Sequence, residues 1–254
     1  MFKGRPWVQI TLAAAAGVSC LAVAACGSST TSGAGAAPSA SSTVDPLASL
    51  SAAKVNAEAI ADAEAAPSLT IDGTASQSGK TDTIDLGIKR GAGCTGTIGL
   101  GGGASMKLIV IGKTVYFLGN NQFWKSEGGG NTADTSAAIA LIDGRYLEVP
   151  ASDKNVSQLA DMCNVSSLMT SDSTAVPDAK GPVTTLNGTR VVPVKLSDGS
   201  TDYVTDTSKP EFVKASAPAG SKAGEGNATV TIGAPVKLTA PPASQVLNGA
   251  ELGM

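Results

Sequence analysis

The chain has 254 residues, a net charge of −3 and only 4% aromatic residues, and it contains no histidine. The missing histidine removes Ser-His-Asp and Cys-His catalysis, the commonest metal ligand and the side chain best suited to proton transfer near neutral pH. Mild acidity argues against a nucleic-acid partner, and few aromatics argue against a stacking surface. No catalytic residue, metal site or cofactor is expected.

Residues 1–5 are short and basic, with Lys3 and Arg5. An apolar, Ala-rich stretch then runs through Ile10, Leu12, Leu21 and Val23 to Ala25. This is the layout of a secretory signal. The stretch is short and interrupted by polar residues, whereas a spanning helix needs about 20 mostly apolar ones. Its end, Val23-Ala24-Ala25-Cys26-Gly27, resembles the lipobox of bacterial lipoproteins. The resemblance implies cleavage before Cys26 and diacylation of its thiol, which leaves the protein outside the cytoplasm and anchored to the cell membrane. The alternative is an ordinary signal with a chance cysteine. Residues 27–43 are almost wholly Gly, Ser, Thr, Ala and Pro, a composition that makes a flexible tether. The expected organisation is a signal over 1–25, a lipidated cysteine and tether over 26–45, and one domain over 46–254.

Loss of residues 1–25 leaves 16 basic against 21 acidic side chains, a net −5. That balance argues against electrostatic clinging to anionic lipid. Cys20 goes with the signal. With Cys26 acylated, Cys94 and Cys163 remain, and outside the cytoplasm such a pair is expected to oxidise. The alternative is two free buried thiols.

Residues 47–65 read as a helix, free of Gly and Pro inside and ended by Pro67. Leu47, Leu50, Ala53, Ala57, Ile60 and Ala61 form its expected apolar stripe, with Glu58 and Asp62 opposite. Residues 68–77 read as a strand. Residues 82–90 alternate, with Ile84, Leu86 and Ile88 on one side. Residues 94–100 place Cys94, Gly96, Ile98 and Leu100 on one face. Residues 105–112 hold the densest apolar run, and Gly112-Lys113 turns it back into 114–119.

Residues 133–143 read as a helix stopped by Gly144. Asp153 is expected to cap a helix with Val156, Leu159, Ala160 and Cys163 on one side. Residues 165–170 add another turn. Strands follow at 183–186, 190–196, 201–206, 211–215, 227–232 and 236–238. Asn187-Gly188 and Asp198-Gly199 are turns, and Pro241-Pro242 is the end of the last strand. The order indicates an α+β fold with one curved antiparallel sheet. A Cys94–Cys163 bridge would put the second helical block over the face that carries Ile98 and Leu100, provided no bulge intervenes.

Several stretches together carry a family resemblance. They are Val23-Ala24-Ala25-Cys26, Lys107-Leu108-Ile109-Val110-Ile111-Gly112-Lys113-Thr114-Val115-Tyr116-Phe117, Leu186-Asn187-Gly188-Thr189, Thr205-Asp206-Thr207-Ser208-Lys209-Pro210 and Pro241-Pro242. With the order of elements, they resemble the LolA-like half-barrel lipoproteins, nearest to the actinobacterial LppX/LprG type. The resemblance implies a strongly curved antiparallel sheet with helices on its concave face, and a lipid or glycolipid carried between them in the cell envelope. The ligand-pocket candidates are then Ile84, Leu86, Ile98, Leu100, Met106, Leu108, Val110, Leu141 and Leu159. A plain packed core accounts for Met106, Leu108 and Val110 equally well, and an envelope interaction or sensor-accessory protein with a filled core is the alternative function. Asp82, Asp85, Asp198 and Asp202 could suggest a cation site, but their turns and polar strand faces favour solvated carboxylates. Trp124 reads as a hydrophobic plug at a hairpin end rather than a ligand rim.

Overall fold

The computed structural model describes residues 45–77, 79–128, 133–169, 175–218, 220 and 225–252. Helix α1 spans Ala52–Ala65. Ser51 caps it, its side chain accepting from Lys54 N–H at 3.2 Å. The helix therefore begins later than residue 47, which lies in a preceding turn although Leu47 itself is buried. The buried face is Val55, Asn56, Ala59, Ile60 and Ala63, while Ala53, Ala57 and Ala61 are exposed. The expected stripe is thus displaced around the helix. Alanine sits equally well on either side, and Val55, with its larger apolar area, sets the phase.

Strands β1 (Ser68–Gln77), β2 (Lys80–Lys89), β3 (Gly93–Leu100), β4 (Ser105–Ile111) and β5 (Thr114–Gly119) form an antiparallel meander. The β3–β4 turn has Gly101, Gly102 and Gly103 at φ +67°, +60° and +81°, a left-handed run that side-chain-bearing residues avoid. Helices α2 (Asn121–Glu127) and α3 (Ala133–Ile142) follow, then β6 (Tyr146–Pro150), α4 (Ser157–Asp161) and α5 (Val165–Met169). Helix α2 and strand β6 are absent from the sequence expectation. Asn120 caps α2, its Oδ1 accepting from Phe123 N–H at 2.8 Å. Asp153 does not cap α4. It accepts from Asn155 N–H at 2.8 Å in a preceding turn, and Val156 is the N-cap residue.

The last third supplies β7 (Pro177–Lys180), β8 (Thr184–Leu186), β9 (Thr189–Leu196), β10 (Thr201–Thr205), β11 (Phe212–Ala217), β12 (Glu225–Ile232) and β13 (Val246–Asn248). Asn187 and Gly188, both at positive φ (50° and 84°), make the β8–β9 turn as expected. Arg190 Nη2 pairs with the buried Asp206 at 2.6 Å and ties the start of β9 to the end of β10. Residues 236–238 are not a strand. Strand β13, which like β6 and β7 is absent from the sequence expectation, lies beyond Pro241-Pro242 and pairs in parallel with β6.

Among the described residues 13 strands form one sheet, in the order β13-β6-β5-β4-β3-β2-β1-β12-β11-β10-β9-β7, with β8 also on β9. Among the described residues every pairing but β13–β6 is antiparallel, and the sheet does not close on itself. Strand β1, between β2 and β12, joins the two halves of the chain.

Register defines one apolar face. One row of paired positions is Val149, Val115, Val110, Cys94, Ile88 and Leu69. The next is Leu147, Phe117, Leu108, Gly96, Leu86 and Ile71. Apart from Gly96, every one of these is buried in a single hydrophobic core. Pairing continues without a shift from Gly93 to Leu100 on β2 and from Gly93 to Gly99 on β4, so no bulge separates Cys94 from Ile98.

Several glycines on this sheet leave no space for a side chain. A Cβ on Gly73 would stand 2.9 Å from the Asn227 carbonyl oxygen, and one on Gly226 2.5 Å from that of Thr74. A Cβ on Gly96 would collide with the Asp85 carbonyl oxygen. Gly96→Ala is therefore expected to destabilise the fold by about 2 kcal/mol, because the clash is with backbone and cannot be relieved by a rotamer change. Chemical denaturation measures it, and an unchanged midpoint would contradict this packing.

Candidate functional site

The apolar face is partly covered by helices. Phe123 and Trp124 of α2 pack on it: Trp124 lies 5.8 Å from Phe117 and 4.9 Å from Phe123 between ring centroids. Trp124 is buried and acts as a plug, although from a helix rather than a hairpin end. Val156 and Leu159 enter the same core. Cys163, just after α4, is bridged to Cys94 of β3 with a Cα–Cα distance of 5.1 Å. Helix α1 packs on the other half of the sheet, against β7, β9, β10 and β11.

Of the ligand-pocket candidates, Leu86, Ile98, Met106, Leu108, Val110 and Leu159 are buried in the core, and Ile84 and Leu100 pack against it from partly buried positions. They come together on one face, as the alternation indicated. Leu141 does not join them: it is 68% exposed on α3, whereas Ile139 is buried and Ile142 packs on the core. Three apolar residues within four positions give a short helix no unique inner side, and the neighbours took it. Cys26 and the whole of residues 1–44 lie outside the described residues.

Asp202 corrects the reading of the acids. It is fully buried on β10, opposite Val194 and Ala215, and neither carboxyl oxygen has a hydrogen-bond partner among the described residues. Burial pushes its pKa up to about 8, with a smaller push from the charge of Asp198. The side chain is therefore a neutral carboxylic acid at pH 7. The sequence carried a sign of this: Asp202 and Val204 share a strand face by alternation, and Val204 belongs to the core. Asp198 behaves as a turn residue, its Oδ1 accepting from Ser200 N–H at 2.9 Å and from Ser200 Oγ at 2.5 Å. Among the described residues no group of three or more His, Cys, Asp or Glu side chains is placed to hold a metal ion, and no helix is long and apolar enough to cross a membrane.

On the opposite face of the sheet lies a groove of about 440 Å³. Lys89 and Ile111 line it from the strands and Ala92 from the β2–β3 turn, and residues 235–238 wall its other side. None of the sequence candidates lines it. No protein-family model matches this chain, and no curated protein matches it.

Proposed function

We propose that this chain is a non-enzymatic extracytoplasmic lipoprotein, held to the cell membrane by lipid on Cys26, that binds an apolar ligand such as a lipid or glycolipid. In this reading the open sheet is a strongly curved half-barrel, and the ligand lies between its concave face and the helices. The observation that carries it is the extended apolar face of an unclosed sheet, with a helical block attached by one covalent bridge. A packed core needs no such asymmetry. A cover that must part from the sheet without losing its place does. The glycines at positions 73, 96 and 226, where neighbouring backbone leaves no room for a Cβ, favour strong bending. The basic start, the Val23-Ala24-Ala25-Cys26 run and the Gly/Ser tether support the anchor.

A second reading has its own observation. The candidate residues on the apolar face are packed against one another, and a groove of about 440 Å³ lies on the other side. An envelope interaction protein with a filled core would look like this. The two readings differ in one observable, a lipid that stays with the folded chain through purification.

The anchor has a direct test. Fractionation of host cells is expected to place the wild-type chain with membranes and the Cys26→Ala variant in the soluble fraction. A Cys26→Ala chain that still sediments with membranes would remove the lipid claim.

A further inference from the structure

The groove on the face opposite Cys94 is built by the chain folding back across the strands after β12. Gly233 N–H donates to the Ser68 carbonyl at 2.8 Å, and Ser68 Oγ donates to the Ala234 carbonyl at 2.6 Å, which pins the segment where it leaves the sheet. Val236 then sits over Gly87. A Cβ there would meet both Val236 methyl groups at 3.2 Å, so the bare glycine lets the segment approach closely. Ile111, Ala92, Val236 and Leu238 make an apolar trough, and Lys89 and Lys237 are the charged residues along it.

Both lysines are exposed, and neither forms a salt bridge among the described residues. Arg90 adjoins Lys89, its Nη1 reaching only the Glu64 carbonyl at 3.4 Å. Gly112 N–H donates to the Ala92 carbonyl at 3.0 Å, which brings the Gly112-Lys113 turn to the same end. Asp85 is the acid that shares the face of Lys89 on β2. A chain of net charge −3 thus sets two lysines along an apolar trough, with Lys113 in the adjoining turn.

The geometry points to a binding site for an anionic amphiphile, a single alkyl chain ending in a carboxylate. The chain lies along Ile111, Ala92, Val236 and Leu238, and the carboxylate is held by the ammonium groups of Lys89 and Lys237. Lysine suits this role, because its stem adds apolar surface while its head stays in water. The volume falls at the small end of the roughly 300–1,000 Å³ typical of small-molecule pockets, which fits one alkyl chain better than a two-chain lipid. The site is on the other face from the ligand position proposed above and stands whether or not that reading holds.

The test is a titration of the full chain carrying Cys26→Ala with sodium dodecanoate below its micelle concentration, followed by amide NMR shifts. Saturable shifts are expected at Ala92, Ile111 and Val236. The Lys89→Gln/Lys237→Gln variant should bind about tenfold more weakly with an unchanged melting temperature. Ala92→Trp, which fills the trough, should abolish the shifts. Neither 1-dodecanol nor acetate should saturate the site. Equal binding by the lysine variant, equal saturation by 1-dodecanol, or shifts produced only by anionic phosphatidylglycerol vesicles and not by dodecanoate would each overturn the proposal.

Discussion

Asp202→Asn is expected to stabilise the protein increasingly as pH rises from about 4 to 8. In the fold the Asp202 carboxyl holds its proton up to about pH 8, because burial and then the Asp198 charge oppose ionisation. In the unfolded chain it loses that proton near pH 3.9. Between those values the folded state carries one proton more than the unfolded state, so stability falls as pH increases. Above pH 8 both states are ionised and the contribution levels off, whereas below pH 4 both are protonated and it vanishes. The full swing is on the order of 5 kcal/mol at about 1.4 kcal/mol per pH unit, a large part of the roughly 5–15 kcal/mol that holds a domain together. Asparagine cannot ionise and lacks this dependence. The check is the difference in unfolding free energy between wild type and variant at pH 5, 7 and 9. A difference that stays constant across the three would show that Asp202 is not buried as a neutral acid.

Reduction of the Cys94–Cys163 bridge is expected to lower stability by about 4 kcal/mol. The bridge joins residues 69 apart, and the figure is the chain entropy that such a loop removes from the unfolded state. The effect should be local as well as global. Helices α4 and α5 are each 5 residues long, too short to persist without tertiary support. Their amides should exchange faster after reduction, while β2, β3 and β4 keep their mutual ladder. Denaturation with and without reductant, beside the Cys94→Ala/Cys163→Ala variant, measures the first effect, and hydrogen exchange measures the second. Equal midpoints in both states would mean that the bridge only decorates a cover already held by packing.

Strands β2 and β3 of the meander were legible because their residues alternate, and β4 and β5 because a dense apolar run meets a Gly112-Lys113 turn. Ile84, Leu86 and Ile88 alternate with Asp85, Gly87 and Lys89 and so mark the buried side of β2, and Gly112-Lys113 and Asn187-Gly188 place the turns. The apolar run of β4 marks a strand without marking its inner side, since Ile109 and Ile111 stand opposite Leu108 and Val110. The cysteine argument about the covered face also followed from alternation, since β3 runs without a bulge. What escaped was weakly patterned. Strands β7 and β13 have 4 and 3 residues, and pairing rather than their own sequence makes them strands. Helix α1 is so rich in alanine that its phase was set by Val55 alone. In α3 the neighbours decided that Ile139 goes in and Leu141 stays out. The outer groove had no local signature, because residues far apart in sequence build it. Asp202 was misjudged by ranking its charge above its position in the strand.

In the proposed function an apolar ligand occupies the space between the sheet and its helices. Native mass spectrometry of the full chain, purified from its own host without detergent, tests it most directly. A population heavier than the acylated chain by the mass of one lipid is expected, lost on activation in the gas phase and depleted by Leu108→Trp, which narrows the apolar face without touching the outer groove. Repeated preparations that show only the acylated chain, with no bound lipid in wild type or variant, would contradict it and leave the filled-core interaction protein as the better description.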